Sequence, residues 1–402
     1  MLDAGEKPLV RIVMAGHVDH GKSTLIGRIR HEICALADAA ALDGSVAGNW
    51  AFSMDQLQEE RDNMMTIDTA QTFIDTPESR LVFIDVPGHQ ELIENMITGA
   101  TRADAAVLVL AADEGVKVQT RRHTLLLGML GIRGVVVAIN KMDLVGFGEA
   151  AFRVLEEAVT ATLAEMGVES YAVIPIVALD GDNVLTHSAR MPWYDGPALL
   201  EVLLDLEPPA EESQVTRLPV QDVYSIDGET VVVGRLLTGR LGEGDVLRLL
   251  PDEAECKVTE IKRFPADHLP AVAGESIGVV LSGIKPVRGQ VLVPPGDRPR
   301  VSTSLDGQVF WLGEAPLEVG DSLVLRCATQ AHGVTVAGIT ERIDSATLDP
   351  QPAGGALASM QIARVLVTSE KPMVFEPFAR IPGLGRFVLE RGGRGVGFGI
   401  VT

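Results

Sequence analysis

A glycine-rich turn near the start of the chain constrains its fold more than any other feature. Residues Gly16-His17-Val18-Asp19-His20-Gly21-Lys22-Ser23 have the spacing G-x-x-x-x-G-K-[ST], with the apolar run Leu9–Ala15 before them and a helical period from Lys22 onward. Between a strand and a helix, this pattern directs backbone N–H groups and the positive end of the helix dipole at phosphate oxygens. The nucleotide-contacting set read from it is Asp19, His20, Gly21, Lys22, Ser23 and Thr24. Lys22 places a point charge on the β- and γ-phosphates and counts among the catalytic residues, while the Ser23 hydroxyl is a ligand for Mg²⁺.

Around that turn the chain alternates short β-branched runs with longer helical periods. Strands are expected at Leu9–Ala15, Leu81–Asp85, Ala105–Ala111, Gly134–Asn140 and Ala172–Ala178, with helices from Lys22, Gln90, Val118 and Phe147 and over Ala198–Asp205. Such alternation predicts a doubly wound α/β domain with a mainly parallel sheet. Leu206-Glu207-Pro208-Pro209 and the acidic residues after it read as a linker, because consecutive prolines end a helix. Beyond it the spacing is that of short strands broken by turns, with a second break near Gly296–Pro299. Three domains are expected: 1–208 for the nucleotide, then small all-β barrels at 209–298 and 299–402.

Three further segments complete the chemistry. Asp85-Val86-Pro87-Gly88 ends a strand where a carboxylate reaches the metal and the Gly88 amide approaches the γ-phosphate, and His89 next to it is placed to orient the attacking water. Asn140-Lys141-Met142-Asp143 follows a buried strand, and the Asp143 carboxylate can accept from N1 and the 2-amino group of guanine, which adenine does not offer. The backbone amides of Ala178 and Leu179 complete the base pocket. Met54–Asp68 is a polar segment suited to ordering around the γ-phosphate, with Thr66 as a further Mg²⁺ ligand. The expected ligands are therefore GTP and Mg²⁺.

Composition narrows the partners. Thirty-four Lys and Arg against 55 Asp and Glu leave a formal charge of -21, which opposes a broad phosphate-tracking surface and makes nucleic acid a poor partner. Three cysteines without a CxxC pair indicate neither a zinc site nor a disulfide framework. No signal peptide or membrane-spanning apolar run is read, so a cytoplasmic protein is expected.

Together GHVDHGKST, the segment ending in Thr66, DVPGH and NKMD resemble the translational-type GTPases, the group that includes elongation factor Tu. Within the group the likeness extends to the large GTP-binding subunit of heterodimeric ATP sulfurylase, through Gly181–Val184, Met191–Pro197 and Pro219–Tyr224. That resemblance implies a regulatory GTPase of sulfate adenylyltransferase, whose partner nucleotidyltransferase subunit forms adenylyl sulfate and pyrophosphate from ATP and sulfate. An elongation-factor-like GTPase binding aminoacyl-tRNA, or a paralogue whose partner adenylylates another acid, are the alternatives. The switch departs from the family's R-G-I-T-I at Met64, where glycine is usual, and Val177 replaces a serine before Ala178.

Overall fold

The computed structural model describes residues 9–37, 70–76, 79–85, 103–132, 134–206, 215–226, 229–263, 269–345, 347–352 and 354–402. They fall into two compact units, Met1–Pro209 and Ala210–Thr402.

In the first unit β1 (Leu9–Gly16), β2 (Ala70–Asp75), β3 (Arg80–Asp85), β4 (Ala105–Ala111), β5 (Gly134–Asn140) and β6 (Ser170–Pro175) form one sheet in the order β2-β3-β1-β4-β5-β6. All pairings are parallel except that of β2 with β3. Every residue of β4 and β5 is buried, as expected for parallel strands covered on both faces. Helix α1 (Lys22–Ala37) lays Leu25, Ile26 and Ile29 against Val10, Ile12 and Met14 of β1 and Phe83 of β3. Among the described residues of this unit the further α-helices are α2 (Val118–Met129), α3 (Glu149–Glu165) and the short α4 (Leu199–Leu204). The strand order reverses beside β1, so the turn after β1 opens at the carboxyl end of the sheet, where doubly wound folds hold their ligands. Strand β6 stops at Pro175 rather than running to Ala178: Val177 leaves the sheet to pair with Asp182 across a tight loop in which Gly181 has φ 92°.

The second unit is built from β strands. Seven of them, β7 (Leu218–Pro219), β8 (Asp222–Ile226), β9 (Glu229–Arg235), β11 (Val246–Leu250), β12 (Ala254–Lys262), β14 (Ser276–Ser282) and β15 (Val291–Val293), follow the order β7-β15-β11-β12-β14-β9-β8. The two edges, β7 and β8, are consecutive in the chain, and the Gln221 N–H bonds the Val233 carbonyl at 2.8 Å. The sheet thus curls until one bent strand joins its ends, which is how a barrel removes exposed edges. A ribbon of β10 (Arg240–Leu241) and β13 (Ala271–Val272) lies apart from that sheet in the pairing. Strands β16 (Arg300–Trp311), β17 (Ser322–Cys327), β18 (Gln330–Asp344), β19 (Gln361–Phe375), β20 (Arg386–Arg391) and β21 (Arg394–Val401) close a second, six-stranded barrel around Trp311, Phe387 and Leu389.

The two sheet systems share a seam. Leu250, Val291 and Val293 of the first pack with Val374, Ile381 and Leu384 of the second. Beside them the fully buried Arg217 donates from Nη2 to Glu376 Oε1 at 2.6 Å and also bonds Asp297. Arg380 donates to Glu376 Oε2 and Asp297 Oδ1, each at 3.0 Å. Two cations and two carboxylates are thereby balanced inside the seam. Partial burial works against ionisation of Asp297, yet Arg217 and Arg380 hold its carboxyl below the usual range. Among the described residues no helix is long and apolar enough to cross a membrane, and Cys256 and Cys327 are free and buried.

Replacing Arg217 alone, as in Arg217→Met, leaves Glu376 buried without its main partner and is expected to cost about 3–5 kcal/mol, whereas Arg217→Met combined with Glu376→Leu should recover much of that loss. Calorimetric unfolding of the two variants checks this; a single-variant loss below about 1 kcal/mol would show that the quartet does not hold the seam.

Candidate nucleotide-binding site

The turn after β1 owes its shape to two glycines. Gly16 has φ 140°, and a Cβ there would sit 2.3 Å from the Val109 carbonyl oxygen. Gly21 has φ 91°, and its Cβ would sit 2.5 Å from Asn140 Nδ2. No other residue type fits either place without moving its neighbours. Asp19 between them is exposed, in the left-handed region at φ 64°.

Lys22, almost fully buried at the start of α1, folds back over the turn and donates from Nζ to the carbonyls of Gly16 at 3.1 Å and His17 at 2.9 Å. Burial pulls its ammonium below the usual lysine range, partly offset by Asp85 and Asp19. An arriving phosphate would supply the negative charge that the site lacks. Ser23 Oγ donates to Asp85 Oδ2 at 2.6 Å, so two of the three residues read as metal ligands converge, from the first turn of α1 and the end of β3. Thr24 is half-buried in the same first turn. Thr66, Gly88 and His89 lie outside the described residues.

Asn140 joins three segments. Its Nδ2 donates to the His20 carbonyl at 2.8 Å and its Oδ1 accepts from the Ala178 N–H at 2.9 Å. Both ends of the carboxamide are engaged with protein, so Asn140 acts on the site by holding its loops. Lys141 follows in the left-handed region at φ 62°, and Met142–Val145 form a single 3₁₀ turn that leaves Asp143 exposed. Ala178 is buried and Leu179 exposed. Arg28 on α1 donates from Nε to the Ala178 carbonyl at 3.2 Å and also bonds the Leu179 carbonyl. Because the Ala178 N–H is already given to Asn140, the expected contact of that amide with a base is not available here, and the Leu179 N–H is the remaining candidate.

Arg28 and His123 carry no local sequence signal of a role at the site. Of the eight histidines, His123 on α2 is fully buried and its Nδ1 accepts the Gly16 N–H at 3.1 Å. Burial, reinforced by Lys22 and the neighbouring His17 and His20, pushes its ring down to about 3. The ring is neutral, with its proton on Nε2, and fixes the first peptide of the turn. His20, also fully buried, has Nδ1 3.1 Å from the Val109 carbonyl, and burial lowers its proton affinity as well. Neither signal could be read from sequence, because the partners lie about a hundred residues away.

A strand, a phosphate-shaped turn, a lysine, a hydroxyl–carboxylate pair and two loops clamped by one asparagine form a nucleotide site. The comparisons agree. The elongation factor Tu GTP binding domain family matches residues 7–209, and the GTP-eEF1A C-terminal domain-like family matches residues 304–402. The elongation factor 1-alpha of Thermococcus onnurineus (strain NA1) is 39% identical over 427 positions, covering 99% of this chain and 98% of the relative. That of Methanopyrus kandleri is 38% identical over 418 positions with the same coverage.

This chain belongs to the translation elongation factor-type GTPases.

The expectation of a regulatory subunit of sulfate adenylyltransferase, with a nucleotidyltransferase subunit as partner, does not hold against these full-length elongation factor relatives. Its reason is visible in the fold. Two of the three stretches read as discriminating brace the first unit itself: Asn183 Nδ2 donates to the Pro175 carbonyl at 2.8 Å, and Trp193 Nε1 donates to the Phe147 carbonyl at 2.9 Å. Those two side chains serve the fold and do not by themselves point to a sulfurylase partner. The exclusion of nucleic acid, argued from total charge, falls with that partner.

His123 stays neutral in the folded GTPase domain but takes up a proton near its ordinary 6.5 when unfolded. Between pH 6.5 and 3 the unfolded chain therefore binds more protons, and stability falls as pH drops, by up to about 1.4 kcal/mol per pH unit from this group. His123→Gln, which keeps an acceptor for Gly16, should show a shallower loss of thermal stability over that window; parallel profiles would contradict the neutral buried ring.

Proposed function

We propose that this chain is a translation elongation factor that carries aminoacyl-tRNA in its GTP-bound form and releases it on hydrolysis. The observation that carries this reading is the likeness along the entire chain, 39% identity with 99% coverage, to proteins named elongation factor 1-alpha. Cytoplasmic work and a three-part layout, a G domain at 1–208 with barrels at 209–298 and 299–402, belong to the same proposal.

In it, the amides of Asp19–Thr24 cradle the phosphates and Lys22 neutralises charge that builds on the transferred group. Ser23 and Asp85 would hold Mg²⁺ with Thr66. The donor set fits: hard oxygens meet at 2.6 Å beside the phosphate turn. When bound, Mg²⁺ would supply positive charge against the phosphate oxygens. The Gly88 amide meets the γ-phosphate and His89 orients the attacking water. Asp143 reads guanine, with Asn140 and Lys141 shaping its turn, the Ala178 N–H tied to Asn140 and the Leu179 amide closing the pocket.

The overall charge of -21 does not oppose an RNA partner once it is divided. Residues 1–209 hold 15 Lys and Arg against 31 Asp and Glu, while 210–402 hold 19 against 24. The acid excess sits mostly in the nucleotide domain and leaves the β unit close to balance, where local phosphate contacts are affordable.

Filter retention of radiolabelled aminoacyl-tRNA by the full chain tests the proposal. Retention should require GTP rather than GDP, prefer charged over uncharged tRNA by at least about tenfold, and weaken as salt rises. Equal retention with GTP and GDP, or none, would reject it. Asp143→Asn should move preference from GTP toward xanthosine triphosphate, because the acceptor toward the base is reversed; unchanged GTP affinity would refute the base pocket.

A further inference from the structure

The loop between Ser188 and Pro197 contacts both loops that line the base pocket. Arg190 donates from Nη2 to Asp180 Oδ2 at 2.6 Å and from Nε to Asp182 Oδ1 at 3.1 Å. These carboxylates stand in the tight loop that begins at Val177 and carries the Ala178 and Leu179 amides. The same guanidinium lies over the ring of Phe147, 4.6 Å from its centroid. Phe147 ends the turn that carries Asp143. Two rows of contacts thus leave one side chain, one to each loop.

The Phe147 end of that turn needs such support. Gly146 and Phe147 are successive left-handed residues, at φ 63° and φ 57°, and a bulky side chain rarely adopts that conformation unaided. Three contacts hold it: the Phe147 N–H to the Met142 carbonyl at 2.8 Å, the Trp193 indole N–H to the Phe147 carbonyl at 2.9 Å, and the Arg190 cation over the ring. Trp193 is itself fixed against the fully buried Phe152 of α3, ring centroids 5.3 Å apart. Arg190 is set by its own N–H on Ser188 Oγ at 3.0 Å, and Ser188 Oγ in turn bonds Asp182.

We infer that Arg190 and Trp193 are positioning residues for guanine selectivity: they fix the spacing between the Asp143 turn and the Ala178–Leu179 loop without touching the base. This rests on the base pocket proposed above. A loosened turn should cost most where the carboxylate must meet two base donors at once, and least for a base that lacks the 2-amino group.

The experiment compares binding of GDP and inosine diphosphate, which has no 2-amino group, to the full chain and to Arg190→Met, Arg190→Lys and Trp193→Phe, with melting temperatures alongside. Trp193→Phe keeps the ring packing and removes only the donor, so it remains informative if Arg190→Met fails to fold. Expected is roughly tenfold weaker GDP binding for Arg190→Met, a smaller loss for inosine diphosphate, and hence a reduced preference; Arg190→Lys and Trp193→Phe should reduce it partway. Lowered melting temperatures with the preference unchanged in every folded variant would overturn the inference and leave these residues as mere packing. If the unaltered chain binds both nucleotides equally, the base pocket itself is refuted, and the inference with it.

Discussion

The site depends on one carboxamide. Asn140 is the last residue of a fully buried strand, and its two polar atoms reach in opposite directions, to the carbonyl of His20 in the phosphate turn and to the N–H of Ala178 in the last loop of the sheet. A carboxamide offers a donor and an acceptor at one fixed separation; an aspartate would meet the His20 carbonyl with a second acceptor. Gly21 must lack a side chain because this amide occupies its Cβ position. The phosphate and base regions therefore have a common reference point, set by the end of β5 rather than by either loop.

Much of this was legible in the sequence, for a physical reason. Strands buried on both faces read as unbroken apolar runs, so β4 and β5 were marked to the residue at Ala105–Ala111 and Gly134–Asn140. Glycines that no other residue can replace, and a lysine held among carbonyls, leave a fixed local spacing. What stayed hidden are interactions whose two halves lie far apart in the chain. His123 supports Gly16 from 107 residues away, and nothing local separates it from a histidine packed in any core. The antiparallel edge strand Ala70–Asp75 was missed, since it is short and only alternately buried.

The misreading of the partner has a different cause. Motifs that bind phosphate and guanine report the nucleotide, and loops such as Met191–Pro197 report how the pocket is braced; both kinds of residue are spent inside the first unit. Total charge misled in the same direction, because it averaged an acidic nucleotide domain with a nearly balanced β unit.

The seam between the two β systems has a consequence for descent. Its four charged residues come from separate places: Arg217 before the first sheet, Asp297 between the two, Glu376 and Arg380 after β19 of the second. A recombination that exchanged either barrel for one lacking the matching charges would inherit a buried ion without its counterion. A crossover within 217–380 would therefore be penalised unless both halves of the charge quartet travelled together.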